Sequence, residues 1–288
     1  MKILWAVDIS ENHPKAVQAM SRFLTALNKR SSIVVDAVSM VYPVDESQSE
    51  SVKKESLRAL EKRIGRSSKL AWFNDFHVVV EGQSLQRGAV LSLIEFAKKG
   101  KYDGIAVVKH SKENRKRAYL GSFAEMLCFL SPLPLFVVNP DGVLPKVVDK
   151  MFIATDANPD SAKEFKKLSQ FLNLEKAKIH LHHAISVIFP GRMTAEEQES
   201  YRISEEKNAQ EGLAEVLETA SRLGSKAVMS IVQQNLSKED SILKAAFKSK
   251  SDLIVVTHKG VGAFGFFLGK ITRRIIQNAD RPVLLFRA

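Results

Sequence analysis

Residues 252–286 read DLIVVTHKGVGAFGFFLGKITRRIIQNADRPVLLF, in which a buried-strand pattern runs into a glycine-bearing loop, a short helix and a last apolar strand. Residues 103–138, DGIAVVKHSKENRKRAYLGSFAEMLCFLSPLPLFVV, repeat that order. His110 and His258, Gly121 and Gly269, Pro134 and Pro282, and far upstream Asp8 and Asp156, all lie 148 residues apart. A common separation for landmarks at both ends of each half means two copies of one folding unit, so any function has to account for a pair.

A chain of 288 residues suits two domains of ordinary size, each able to enclose a core. With 45% of residues hydrophobic, the composition excludes a disordered chain. The formal charge of +11 suits attraction to nucleotides, nucleic acid or anionic membrane surfaces without selecting one, and a lysine-rich solvated surface accounts for it equally well. One cysteine, Cys128, excludes an internal disulfide framework and fits a reducing compartment. It lies in the apolar run 124–130 and reads as a packed thiol rather than a nucleophile. The amino-terminal apolar run is interrupted by Asp8, and no uninterrupted apolar stretch reaches the roughly 18 residues of a membrane span. The expected location is the cytoplasm, with no transmembrane segment.

In order, the pattern predicts strands at 3–7, 33–41, 76–80, 105–108 and 135–138, separated by helices that Pro14, Val52, Leu85 and Ser122 begin. Met20, Phe23, Leu24 and Leu27 recur at helical spacing, an apolar stripe against a sheet. Asn139, Pro140, Asp141 and Gly142 are turn formers and mark the boundary between domains at 1–140 and 147–288. The pattern then restarts with strands at 152–155, 178–188 and 227–232 and helices at 162–172, 195–223 (frayed at its start) and 238–248, before the closing stretch. AVSMVYP at 37–43 matches AISVIFP at 184–190 at a separation of 147, which reads as a small loop deletion between the copies. Strands alternating with helices call for an α/β fold: two tandem domains, each a five-stranded, mainly parallel sheet with helices on both faces.

These landmarks carry a family resemblance over almost the whole chain: each half resembles a universal stress protein domain. That family opens with an apolar strand ending in Asp and closes with Gly-Ser/Thr-His-Gly, a linker, Leu-Gly-Ser, a helix and Pro before the last strand. Here the counterparts are Asp8 and Asp156, Lys109-His110 and Thr257-His258, Leu120-Gly121-Ser122 and Leu268-Gly269-Lys270, and Pro134 and Pro282. The resemblance implies a Rossmann-like, adenine-nucleotide alpha hydrolase-like fold whose two domains pack as a pseudo-dimer, an internal imitation of the family's homodimer. It also implies an adenine-nucleotide site, with adenine and ribose held by Asp8 or Asp156 and by main chain near the end of strand two, at Ala37 and Ala184. The phosphates would be wrapped by the loop at Val108, His110, Ser111, Gly121 and Ser122, and in the second half at His258, Lys259, Gly269 and Lys270. Exposed amides at a loop and a helix start do supply donors and positive potential for an anion.

The sequence departs from that pattern where backbone room matters. Val108 and Ser111 replace the two loop glycines of the first half, and Val256 and Lys259 those of the second, while Lys270 stands at the hydroxyl position. An impaired or atypical ATP site follows, better preserved in the first half, where Gly121-Ser122 is intact. Lys112, Arg115, Lys116 and Arg117 in the first loop, or Gly260, Gly262 and Gly265 in the second, offer compensating charge or freedom. Read as a dinucleotide fingerprint, those three glycines fail, because only one strand follows and it ends without an acidic residue for a ribose.

His180, His182 and His183 form the densest histidine cluster. On a strand the first two face one way and the third the other, so at most two share a metal, and no metal site is expected. Neither Asp8 nor Asp156 is accompanied by a nucleophile or an oxyanion motif, and no catalytic residue is assigned. The expectation is a regulatory or protective binding module of the stress response that requires no cofactor and takes ATP, another adenine nucleotide or a small anion. Alternatives are a nucleotide-binding enzyme hydrolysing ATP through Asp8 or Asp156, and a basic adaptor for nucleic acid or anionic lipid. The basic run 112–117 lacks the interleaved aromatics of a single-strand binder, which disfavours nucleic acid. The sequence names no protein partner and no oligomer beyond the internal pseudo-dimer.

Overall fold

The first half supplies β1 (Lys2–Ala6), α1 (Pro14–Asn28), β2 (Val34–Val41), α2 (Ser49–Ile64), β3 (Phe73–Val80), α3 (Gln86–Lys99), β4 (Gly104–Val108), α4 (Ser122–Leu130) and β5 (Leu135–Val138). The second supplies β6 (Lys150–Ala154), α5 (Ser161–Phe171), β7 (Lys178–Ile185), α6 (Ala195–Arg222), β8 (Lys226–Gln233), α7 (Lys238–Ser249), β9 (Leu253–His258), α8 (Lys270–Asn278) and β10 (Val283–Arg287). The computed structural model describes residues 1–9, 14–42, 49–81, 86–109, 122–158, 160–185, 193–233, 237–258 and 269–287. Its ten strands form one sheet in the order β3-β2-β1-β4-β5-β10-β9-β6-β7-β8. Each half therefore has the order 3-2-1-4-5, parallel throughout.

The halves meet where β5 runs antiparallel to β10, with Val137 opposite Val283, Phe136 opposite Leu284 and Leu135 opposite Leu285. Phe136 and Leu284 are themselves 148 residues apart, so a local two-fold axis passes between them. Around it Phe136 packs on Phe23 and on Phe171, with ring centroids 5.6 and 5.9 Å away. Those two partners are also 148 apart. One apolar layer joins α1, α2, α5 and α6 to a single face of the sheet, and a second joins α3, α4, α7 and α8 to the other. Period-2 alternation sorts the strands between them: Ile3 and Trp5 join the first layer, Leu4 the second.

Most elements fall within a few residues of expectation; β3 starts at Phe73, three residues early. The expected fraying of α6 is overturned. Thr194 accepts from the amide of Glu197, and the Glu197 carboxylate accepts from the amide of Thr194, a reciprocal capping box that satisfies two donors at the helix start. No residue of α6 before Ala209 is buried. The helix has 28 residues against 16 in α2, its counterpart. Its first 14, about 20 Å of helix, hold no fully buried side chain.

Ladder register corrects two of the sequence correspondences. Trp5 stands opposite Ala37, whereas Ile153, its counterpart 148 residues on, stands opposite Leu181. Ala37 thus corresponds to Leu181, not to Ala184, and the match between 37–43 and 184–190 is out of structural register. Ala37 and Ala184 in fact belong to layers on opposite faces. At the fourth strands, Val108 pairs with Val138 and Thr257 with Phe286. Since Phe286 lies 148 beyond Val138, Thr257 occupies the place of Val108, and His258 that of Lys109 rather than of His110. Val256, a loop position by resemblance, is a buried residue of β9.

Candidate functional site

In each half the chain reverses its direction of strand addition between the first and fourth strands, β1 and β4 or β6 and β9. Open α/β sheets bind ligands in the crevice outside the carboxyl ends of the strands at such a point. Asp8 and Asp156 each lie two residues past the first strand of their half, and both are exposed. The carboxyl ends of β4 and β9 and the starts of α4 and α8 complete what is described of the two rims. The topology thus brings Asp8, Val108 and Ser122 to one crevice and Asp156, Gly269 and Lys270 to the other. Ala37 belongs to neither. It is fully buried in mid-strand, paired with Trp5 on one side and Phe76 on the other.

In the first crevice, Arg63 of α2 donates through Nη1 to the carbonyl of Asp8. Tyr42 and Glu81 follow β2 and β3, and Ser92 of α3 bonds to the Glu81 carboxylate. Burial, and then the nearby carboxylates of Glu81 and Asp8, push the Tyr42 phenol above its ordinary value. Among the described residues this rim sets the carboxylates of Asp8 and Glu81 beside the Tyr42 phenol and the Arg63 guanidinium. Lys109, immediately after β4, is buried, and its amide donates to the carbonyl of Val138 at 2.8 Å. Its ammonium group crosses to the other half and donates to the carbonyl of Gln277 at the carboxyl end of α8. Helix-terminal carbonyls favour a cation, while burial lowers the lysine pKa. This lysine thus joins the halves, a role that only tertiary contact assigns. His110, Ser111, Gly121, Lys259, the basic run 112–117 and Gly260, Gly262 and Gly265 lie outside the described residues.

The second crevice is bound up in local hydrogen bonds. Thr155 and Ser161 hydroxyls lie 3.1 Å apart, the amide of Ala157 donates to Thr155 Oγ1, and that of Asn158 to Ser161 Oγ. His183 Nδ1 meets the Thr155 carbonyl at 2.9 Å. Ala157 adopts φ +50°, and α6 crosses so close that a Cβ on Gly212 would stand 2.2 Å from the Ala157 carbonyl oxygen. Beneath the loop, Thr155, Ser161, Glu164 and Thr257 line a pocket with room for one water at most. Gly269 precedes α8 at φ −53°, and nothing among the described residues lies within 4 Å of the Cβ it lacks. Lys270, exposed in the first turn, adds positive charge to the positive end of the helix dipole, an arrangement that an anion would relieve. Ala184, one residue from the end of β7, pairs with Val232 and sits at the edge of this crevice.

Away from both crevices, His180 Nε2 and His182 Nδ1 both contact Ser230 Oγ, at 2.7 and 2.8 Å. His183 faces the other way, as alternation along β7 requires. Among the described residues no group of three or more His, Cys, Asp or Glu could hold a metal ion, and no helix is long and apolar enough to cross a membrane. Cys128 is buried in α4.

Residues 148–287 match the family model described as the universal stress protein family. A universal stress protein of Thermus aquaticus, encoded in the 3′ region of a QAH/OAS sulfhydrylase, is 45% identical over 49 residues, 17% of this chain and 36% of that relative's length. The chain is similar over 99% of its length to the crystal structure of a universal stress protein from Archaeoglobus fulgidus, 98% of which is covered, with TM-score 0.64 and 16% identity. A functionally unknown protein from Pseudomonas aeruginosa gives TM-score 0.61 and 13% identity over 99% of this chain and 92% of its own. At such identities the likeness shows the fold, and it spans both halves. Residues 148–287, the second half of the chain, thus belong to the universal stress protein family, and the first half repeats their strand order.

Proposed function

We propose that this chain is a non-catalytic regulatory or protective binding module of the stress response, in which a fused pair of family domains keeps the scaffold of an adenine-nucleotide site in altered form. The observation that carries the reading is the fate of Lys109. It stands where the family's first loop leaves β4 to wrap the phosphates, yet its ammonium group is engaged by the carbonyl of Gln277 in the other half. Val108 before it is a ladder residue with a branched side chain. The strand-end carboxylates Asp8 and Asp156, by contrast, hold equivalent exposed positions in both halves. A rim that keeps its strand-end carboxylates but commits Lys109 to the other half suits an adenine nucleoside or a small anion better than a triphosphate.

Equilibrium dialysis with ATP, ADP and AMP tests this. The expected result is weak binding, on the order of 100 μM or weaker, with no steep gain from AMP to ATP. Nanomolar to micromolar ATP binding at both halves would overturn the altered site. Sustained phosphate release, lost in Asp8→Ala or Asp156→Ala, would overturn the non-catalytic role.

A further inference from the structure

We propose that His180 and His182, with Ser230, form a chelating site for a borderline divalent transition-metal cation, Cu²⁺ ahead of Ni²⁺ and Zn²⁺. The two histidines are alternate residues of β7 and share a face of the sheet. His180 Nε2 and His182 Nδ1 converge on one atom, the Ser230 hydroxyl of the edge strand β8, at 2.7 and 2.8 Å. The ring of Phe152 on β6 packs against both imidazoles, with centroids 5.2 and 5.3 Å away, and holds their orientation.

In the metal-free chain the three side chains form a hydrogen-bonded series. One hydroxyl has one proton, so it donates to one ring and accepts from the other. His182 is only 1% exposed, and its remaining nitrogen, Nε2, is buried with no hydrogen-bond partner. That nitrogen is unpaired whether Ser230 or a metal faces Nδ1, so its cost of about 1–3 kcal/mol does not oppose the exchange. Coordination requires only that each ring place its hydrogen on the outer nitrogen, Nδ1 of His180 and Nε2 of His182. No net proton is lost.

The donor set selects the class of ion. Two neutral imidazole nitrogens and a hydroxyl oxygen, with no carboxylate, suit Cu²⁺, Ni²⁺ and Zn²⁺, whereas Mg²⁺ and Ca²⁺ require oxygen shells. Half-buried His180 and Ser230 leave access for solvent ligands. Lys178 and Lys226 lie on the same face toward the strand starts and are exposed, so their repulsion is screened but sets the affinity below that of a closed structural site. His183 contributes nothing, because its Nδ1 faces the Thr155 carbonyl on the other side.

The test is a titration of the intact chain with CuCl₂ at pH 7.5, followed by visible absorption and electron paramagnetic resonance. The expected result is one equivalent bound at micromolar concentration with hyperfine structure from two nitrogens, weakened about tenfold or more in His180→Gln and His182→Gln and within twofold of the parent in His183→Gln. His180→Gln replaces a half-buried side chain, and circular dichroism verifies its fold. A Zn²⁺ titration of the parent chain, read by long-range ¹H–¹⁵N spectra, independently shifts His180 Nε2 and His182 Nδ1 together. Absence of a stoichiometric site below about 1 mM, full binding by His180→Gln, or loss in His183→Gln would overturn the assignment.

Discussion

Glu125 of α4 and Arg273 of α8 stand 148 residues apart, at the same place in the two halves, and form an ion pair with each other at 2.5 Å. Equivalent residues touch only beside a two-fold axis. In a true homodimer such a position meets its own copy, so a charge there meets a like charge. Fusion of the copies into one chain lifts that constraint and allows carboxylate to face guanidinium.

Arg273→Glu, which restores like charges at the axis, is expected to destabilise the chain by about 1 kcal/mol, the pair being partly exposed and the loss of attraction giving way to repulsion. Adding Glu125→Arg recovers most of it. Urea unfolding midpoints of the two single variants and the double variant measure the coupling.

Acid stability is set in part by His182. Burial, and then the neighbouring His180 and His183, depress its pKa to about 4, against an unfolded value near 6.5. Between those values the unfolded chain binds the extra proton, so stability falls as pH drops from 6.5 toward 4, by about 3 kcal/mol at most for this group. His182→Leu should flatten that part of the stability profile relative to the parent chain, measured by denaturant unfolding at pH 7 and pH 4.5.

Gly212 is a site of close approach between α6 and the loop after β6. A methyl group there meets the Ala157 carbonyl oxygen at 2.2 Å, backbone that cannot swing aside. Gly212→Ala should cost about 1–3 kcal/mol despite its better helix propensity, read as a lowered thermal midpoint. Gly224→Ala, where φ is +71° and space is open, separates backbone strain from crowding.

Thr194→Ala removes the hydroxyl of the α6 capping box at a local cost of about 1 kcal/mol. Because none of residues 195–208 is fully buried, global stability should change little while amide exchange there accelerates. Protection from Ala209 to Ala220, packed in the core, should be retained.

Much of the fold is legible locally. The stripe Met20, Phe23, Leu24 and Leu27 declares α1, and the run Gly104 to Val108 declares a strand buried on both faces, because periodicity and apolar content are properties of a few adjacent residues. The expectation of a frayed α6 passed over a local signal, Thr194 followed three residues later by Glu197. The strand-end positions of Asp8 and Asp156 were legible for the same reason. The equation of Ala37 with Ala184 failed because like heptapeptides can occupy strands in different register, and register is set by pairing with neighbours distant in sequence.

The sequence by itself determined that the chain is a duplicated α/β unit, since spacing and strand patterning survive divergence of individual side chains. Only the tertiary structure decided that Phe136 and Leu284 lie beside the axis, that Lys109 reaches across to α8, and that His180 and His182 aim at Ser230. Each of these is a meeting of groups at least 48 residues apart along the chain, fixed by how β5 pairs with β10 and β7 with β8 rather than by any local preference of the residues concerned.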